Sequence, residues 1–476
     1  MIASISWKNV WRNKSRSLVV VGAVTLGTIA GVFVAGLMKG MVDQRINSAI
    51  FTEVGHIKIQ NPKYLINEEV TYSINNIGKL TDYLDNSNEV AAYALRSKVM
   101  AMATTARGSA GIVLKGINPE KEKLVSDIYK KLVPNTGSYF NGKSKLPPVL
   151  ISKKTAELLR IKNFRITPLV LDSLKVLQVP DKTILKLDSI KNRRYVTDKK
   201  FEKAIKEVWT ESEIKKYGPA LISSSTYYQR RAKITFSFTK ANGDLGYQTY
   251  QVCGIFKTSN TMFDQMSAFV LNSNLVQAVG LTDNQYHEAS IILNAGGENM
   301  QAFKTKIAEN FKNASVMTWK ELAPDAGMMA DFMNIYYYMI MGIIFFALAF
   351  GIINTMLMAI LERIKELGML MAIGMKKGKV FSMIMLETIF LTLTGSIIGM
   401  VIGWVLIKIT GYTGINFSSV AEGFEAMGYA AVSYPDIETT FFFGIIVMVI
   451  CIAILSSIIP ARKALKLKPV EALRIE

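Results

Sequence analysis

The chain has 476 residues, 50% of them apolar, and its 56 lysines and arginines outweigh 37 acidic residues to give a formal charge of +19. Four apolar runs, residues 17–38, 336–361, 380–410 and 441–460, can each cross a hydrocarbon core of about 30 Å at about 1.5 Å per helical residue, which excludes a soluble globular protein. The positive charge is spread over the flanks of these runs and a long polar region without a nucleic-acid motif, so nucleic acid is excluded as a partner.

Residues 1–16 place Ile2, Ile5, Trp7, Val10 and Trp11 among Lys8, Arg12, Lys14 and Arg16, the pattern of an amphipathic elbow helix lying in a headgroup layer. The run 17–38 exceeds the apolar core of a signal peptide and no Ala-x-Ala site follows it, which predicts an uncleaved first span. Within it Ala23, Gly27, Gly31 and Ala35 recur at i+4, a small-residue stripe along which another helix can approach closely. Basic residues flank the ends of the spans before residue 17, between 363 and 379 and after 461. This puts both termini and the 362–379 segment in the cytoplasm and residues 39–335 and 411–440 outside, since a long domain translocates largely regardless of its charge.

In the outer region, alternation at 56–60, 91–100 and 110–116 predicts strands, 153–160 a helix, and 233–238 with 248–256 a hairpin joined through an Asn-Gly turn. The domain is therefore mixed α+β. Residues 164–229, Lys-rich, helix-favouring over 199–216 and bounded by turns near Pro168 and Pro219, stand out as an inserted subdomain. The expected fold is an α-helical membrane protein with four transmembrane helices, one before and three after this domain.

The second span (336–361) contains Asn354 and opens with an aromatic cluster at 336–338, placed as a membrane-interface belt with Trp404 and 441–443. After it, Glu362, Arg363, Lys365 and Glu366 set opposite charges three residues apart, while Ile364, Leu367, Leu370 and Met371 form an apolar face. This cytoplasmic segment, 362–379, either rests on lipid or sits as a lever in a groove of a partner. The third span (380–410) carries Gly395, Gly399 and Gly403, a doubled Gly-x-x-x-Gly that predicts a close helix crossing. It also carries Glu387, which reads first as a helix-positioning contact, with Arg363 as a candidate partner, and second as a substrate or proton group. The fourth span (441–460) leads to a basic tail, 461–476.

Residues 137–144, GSYFNGKS, match the P-loop pattern, but Pro147 and Pro148 stop the helix that a P-loop must open, so the match is set aside. Cys253 and Cys451 lie too far apart in the predicted topology to pair. His56 and His287 lack metal-ligand spacing, and no nucleophile–base constellation is present. The chain is predicted to do no covalent chemistry and to bind no metal.

The chain resembles the MacB/FtsX-type ABC transporter permeases, especially the lipoprotein-releasing LolC/LolE-like subunits. The resemblance rests on SWKNVWRNKSRS at 6–17, NTMLM at 354–358 with ERIKELG at 362–368 and AIG at 372–374, Glu387 with the third-span glycines, and PARKA at 460–464 with PVEALR at 469–474. In the outer domain it rests on VCGIFKT at 252–258, FD at 263–264 and AFV at 268–270. It implies a non-catalytic subunit that dimerises with itself or a second permease and binds a cytoplasmic ABC ATPase dimer, which carries the ATP and Mg. Glu362, Arg363, Lys365, Glu366, Gly368 and Gly374 would form the ATPase-coupling helix. It further implies a bacterial inner-membrane location, lipoprotein cargo drawn from the outer leaflet and a periplasmic carrier or adaptor. The rivals are MacB-like efflux or mechanotransmission and, in another class, a membrane-anchored sensor. Against the resemblance, the 164–229 insertion replaces a short connection, and the 241–246 turn is short where lipoprotein-releasing members extend a hairpin.

Overall fold

The computed structural model describes residues 2–12, 14–141, 145–229, 231–282, 284–297 and 299–465. They divide into two compact units, 1–45 with 328–421 and 429–476, and 46–327 with 422–428.

The first unit is built on four long helices, Lys14–Ser48, Pro324–Glu362, Lys377–Thr413 and Thr439–Leu465, all long and apolar enough to cross a membrane. Each is longer than its apolar run, because a helix satisfies its own backbone and continues past the hydrocarbon boundary until something stops it. The third stops at Gly414, whose φ of 73° suits glycine. Pro460 is accommodated inside the fourth helix, near its end. A short cross helix, Ile364–Ala372, follows the second long helix. The predicted 362–379 segment is therefore divided: Glu362 closes the second helix, Lys377 opens the third, and Gly374 turns between them at φ 100°.

The third-helix glycines lie at a close crossing with the first helix. A methyl added at Gly399 would lie 2.7 Å from the Thr25 carbonyl oxygen of the first helix, and one at Gly395 would lie 2.8 Å from that of Val21. At Gly403 it would meet the Val32 side chain at 2.9 Å. The crossing is pinned by Thr25 Oγ1 donating to the Gly395 carbonyl at 2.9 Å. The first-helix stripe turns instead to the second helix, with Gly27 against Leu348 and Gly31 against the Met341 sulfur. Ala35 is buried, but Ala23 is exposed, so the packed stripe begins at Gly27. The first predicted member, Ala23, lies outside that seam.

The second unit is organised by a nine-stranded sheet. Its strands are β1 (Ile57–Gln60), β2 (Val90–Thr104), β3 (Ser109–Ile117), β4 (Pro148–Ser152), β8 (Lys233–Thr239), β9 (Leu245–Phe256), β10 (Ser267–Leu271), β11 (Glu288–Leu293) and β12 (Ser315–Thr318). The order is β12-β1-β11-β2-β3-β10-β4-β9-β8, and β8 returns to pair with β2. Six strands thus close on themselves around Ile112, Leu114, Ile234, Phe236 and Tyr250, removing their free edges. The first half of β2 leaves this ring to pair with β11, so one long strand serves both a barrel and an open sheet. The predicted hairpin is present as β8–β9.

The 164–229 segment has its own core of Phe164, Leu174, Leu187, Phe201 and Leu221. It also has its own small sheet of β5 (Lys162–Arg165), β6 (Arg194–Tyr195) and β7 (Thr226–Tyr228). Pro219 does not bound it but lies within the helix Glu211–Ser225. The predicted 411–440 loop is also divided. Its base pairs as Ile415–Asn416 with Val432–Ser433, while 422–428 belongs to the second unit, where Glu425 accepts from Lys257 Nζ at 2.5 Å.

One face of the open sheet buries charge. Arg96 donates to Glu122 at 3.1 and 2.8 Å and to Glu288 at 2.6 Å, and Glu288 also meets Lys58 at 3.4 Å and Lys98 at 3.2 Å. Lys115 lies over the Phe263 ring at 4.6 Å. Burial pushes Lys58 down to about 8 and Lys115 down to about 7, despite the raising influence of Glu288. Between about pH 7 and 10 the unfolded chain then holds protons that the folded domain lacks. Stability should therefore rise with pH there, by up to about 1.4 kcal/mol per pH unit for each lysine. Lys115→Met is expected to flatten this rise in thermal melts of the full chain between pH 7 and 9.5. An unchanged slope would remove Lys115 from the account.

Candidate functional site

The predicted coupling residues converge with a helix at the N-terminus. That helix, Ile2–Arg12, buries Ser6 and Val10. Ser6 Oγ donates to the Met383 carbonyl of the third long helix at 3.1 Å, and the Trp7 ring meets Phe390 edge-on at 5.5 Å. The face carrying Ile5, Trp7 and Trp11 stays exposed. The helix is therefore a clasp on the third long helix as well as an amphipathic surface element.

This packing brings five polar side chains together. Glu387, 7% exposed, accepts from Asn9 Nδ2 at 2.8 Å and from Arg363 Nη1 at 3.3 Å. Arg363 Nε donates to Glu366 at 3.0 Å, and Arg12 pairs with the same Glu366 carboxylate. Burial alone would raise the Glu366 pKa, but Arg363 and Arg12 outweigh it and hold the carboxyl below its usual range. Asn9 and Arg12 come from the N-terminal helix, Arg363 and Glu366 from the start of the cross helix, and Glu387 from the third long helix. A buried polar group needs its partners, and here the partners tie three elements at one point.

The Arg363–Glu366 and Arg363–Glu387 contacts are those read from the sequence. Asn9 and Arg12 were not singled out, because nothing in a basic amphipathic segment tells a residue facing headgroups from one facing a carboxylate. The remaining coupling residues point elsewhere. On the cross helix Ile364, Leu367 and Gly368 are buried inward, while Lys365, Met369, Ala372, Ile373 and Gly374 are exposed, Ile373 to 78%. Glu362 is exposed at the end of the second helix, and Asn354 is exposed farther along it, away from the junction.

Among the described residues no group of three or more His, Cys, Asp or Glu is placed to hold a metal. Both histidines are structural pins. His287 Nδ1 accepts from the Lys98 amide at 3.0 Å, which leaves Nε2 to donate to the Val70 carbonyl at 2.7 Å. His56 Nδ1 accepts from the Leu293 amide at 3.0 Å. Burial lowers the pKa of each. Of the P-loop-like stretch, Gly142, Lys143 and Ser144 lie outside the described residues. Gly137 to Asn141 form a loop on β9, where the Ser138 amide donates to the Cys253 carbonyl, and strand β4 follows rather than a helix. The PVEALR stretch at 469–474 also lies outside the described residues.

Residues 338–469 match the family FtsX-like permease C-terminal. An ABC transporter permease of Methanocaldococcus jannaschii is 28% identical over 233 residues, 48% of this chain and 55% of its own length. The ABC transporter permease YknZ of Bacillus subtilis is 26% identical over 258 residues, 52% of this chain and 60% of its own. The macrolide export ATP-binding/permease protein MacB of Chlorobaculum tepidum is 33% identical over 126 residues, 26% of this chain and 17% of its own. The chain thus matches less than two thirds of the length of each of these relatives. Two solved structures are weakly similar. The extracellular domain of YknZ from Gram-positive bacteria has a TM-score of 0.27 and 16% identity, covering 55% of this chain and 99% of its own. The periplasmic region of MacB from Actinobacillus actinomycetemcomitans has a TM-score of 0.30 and 8% identity, covering 58% and 93%. Residues 338–469, which run from within the second long helix through the cross helix to just past the end of the fourth, are thus similar to the FtsX-like permease C-terminal family, in a chain whose relatives include ABC transporter permeases of the MacB/YknZ type.

Proposed function

We propose that this chain is the membrane subunit of an ATP-driven ABC complex in a bacterial inner membrane, non-catalytic itself and paired with a second permease, the same or different. A separate cytoplasmic ATPase dimer carries ATP and Mg. Both termini and the cross helix lie in the cytoplasm and the large α+β unit lies outside. The observation that carries this reading is the two-sided cross helix. Its inner side is locked to the N-terminal helix and the third span through Arg363, Glu366 and Glu387, so a push on its outer side moves the spans rather than the helix alone. Its outer side offers Lys365, Met369 and Ile373, apolar surface ringed by charge, the composition of a docking face.

Glu366 belongs to the lock, so the docking face is better tested beside it. Met369→Asp with Ile373→Asp is expected to leave the protein in the membrane while co-purification of the ATPase falls below about one tenth, about 1.4 kcal/mol or more. Wild-type recovery of the ATPase with the double variant would end the assignment.

For the cargo, relatives named macrolide export ATP-binding/permease protein MacB support efflux or mechanotransmission, in which the outer units drive a periplasmic adaptor. Lipoprotein extraction, with an acyl chain leaving between the first and second spans and passing to a carrier, rests on the resemblance alone. Photocrosslinkers at the exposed Val34 and Phe350 separate the two readings. An acylated adduct in complexes that turn over ATP supports extraction, and its absence supports transmission.

A further inference from the structure

The outer unit has a notch where β2 passes from open sheet to barrel. On one edge of β2, β11 pairs as far as Arg96 and β8 begins at Ala101. Among the described residues, 97–100, about 13 Å of strand at about 3.3 Å per residue, therefore have no strand paired to them on that edge. Loop groups occupy the near end, where Ser97 Oγ donates to the Gln285 carbonyl and the Lys98 amide donates to His287. The far end opens into a groove of about 820 Å³, floored by Val99 and Met100 and walled by residues 66–71 on one side and by the β8–β9 turn, 239–243, on the other.

The walls have a consistent chemistry. Ile66 is 82% exposed and Met100 44%, and Met102 continues the same β2 face at 48%. Glu68 and Glu69 stand exposed beside them, and among the described residues neither carboxylate has a hydrogen-bond or ion-pair partner. Lys240 on the opposite wall is the one cation in the lining. Two unpaired carboxylates over an apolar floor, in a chain with 56 basic residues and 37 acidic ones, form a local reversal of charge that selects a cationic occupant. The volume is that of a ligand-sized site, which spans roughly 300–1,000 Å³.

We propose that this groove binds an extended segment of a partner protein, alternating apolar with Lys or Arg side chains, which adds to the free edge of β2 at Met100. The segment's backbone pairs with the strand edge, its apolar side chains cover Ile66 and Met100, and its cations meet Glu68 and Glu69. The inference goes beyond the proposed function and does not need it, because the groove lies wholly within the outer unit and its test does not involve the ATPase.

The test uses the full chain in an uncharged detergent and three fluorescein-labelled heptapeptides: alternating valine and lysine, alternating valine and glutamate, and the valine–lysine peptide N-methylated at every second residue. The expected result is saturable binding of the valine–lysine peptide, weakened about tenfold by Glu68→Gln with Glu69→Gln, equivalent to about 1.4 kcal/mol. Met100→Asp should weaken it through the apolar floor. Both other peptides should bind at least about tenfold more weakly. Equal binding of the glutamate peptide, or binding unchanged by the Glu68/Glu69 variant, would overturn the site. Full binding of the N-methylated peptide would overturn strand addition. Glu68 and Glu69 are exposed and unpaired among the described residues, so their replacement leaves the fold's contacts in place.

Discussion

Gly399→Leu is expected to prevent stable assembly of the helical unit, and Gly399→Ala to lower its melting temperature measurably, while Gly31→Ala is nearly silent. The difference lies in what each new side chain would meet. At Gly399 the first added carbon sits 2.7 Å from the Thr25 carbonyl oxygen and 2.7 Å from the Thr28 Cβ, atoms fixed by the first helix's own backbone. They can yield only if the two helices separate, which would break the Thr25 to Gly395 hydrogen bond and the 3.3 Å contact between the Thr28 and Ser396 hydroxyls. At Gly31 the obstacle is the Met341 thioether at 2.5 Å, the end of an unbranched side chain that can change rotamer. Overpacking a tight seam costs about 1–3 kcal/mol, and the Gly399 variants should lie at or above the top of that range. Melting followed by fluorescence-detected gel filtration in mild detergent would read the contrast. Equal loss at Gly31 and Gly399 would mean that the first helix is gripped as firmly by the second helix as by the third.

Removing Arg363 alone is expected to damage the junction more than removing Arg363 and Glu387 together. Both side chains are about nine-tenths buried, at 11% and 10% exposure. Arg363→Met takes the Arg363 cation away from the Glu387 carboxylate, and breaking a buried pair from one side costs about 3–5 kcal/mol. Replacing both by methionine removes the buried carboxylate as well and should recover much of that loss. Arg12→Ala removes an ion pair whose members are 52% and 44% exposed, for which about 0–1 kcal/mol is the usual range. A double-mutant cycle on membrane-extracted protein would measure the coupling. If the double variant were as unstable as Arg363→Met, the stability would reside in packing around Arg363 and not in the pair. If Arg363→Met were neutral, the junction would not be the lock on which the proposed transmission depends.

The charged junction also shows where reading the sequence stops. Glu387 announces itself because a carboxylate in an apolar run must find a partner, and Arg363 is the nearest basic residue at the same end of the neighbouring span. Asn9 is more than three hundred residues away and looks like any polar residue of a basic amphipathic helix. Only packing of Ser6 and Val10 on the third long helix brings it to Glu387. The glycines divide in the same way. Gly395, Gly399 and Gly403 mark a helix crossing by spacing alone, but the sequence does not say that the first helix is the one they meet, or that Ala23 falls outside the other seam.

By itself the sequence determined the four spans, the hairpin at residues 233–256, and the distinct composition of 164–229. These follow from local rules: apolar length against bilayer thickness, alternation along a strand, turn chemistry, and a composition unlike its neighbours. The tertiary structure alone decided the barrel closed by β8 on β2, the groove left where β2 changes partners, the division of the 411–440 loop between two units, and the buried charges of Arg96, Glu122 and Glu288. Each of these depends on contacts between residues far apart in the chain. The pattern of a single strand records which face is buried but not which strand lies beside it, and a charged residue records nothing of the opposite charge that folding brings within 3 Å.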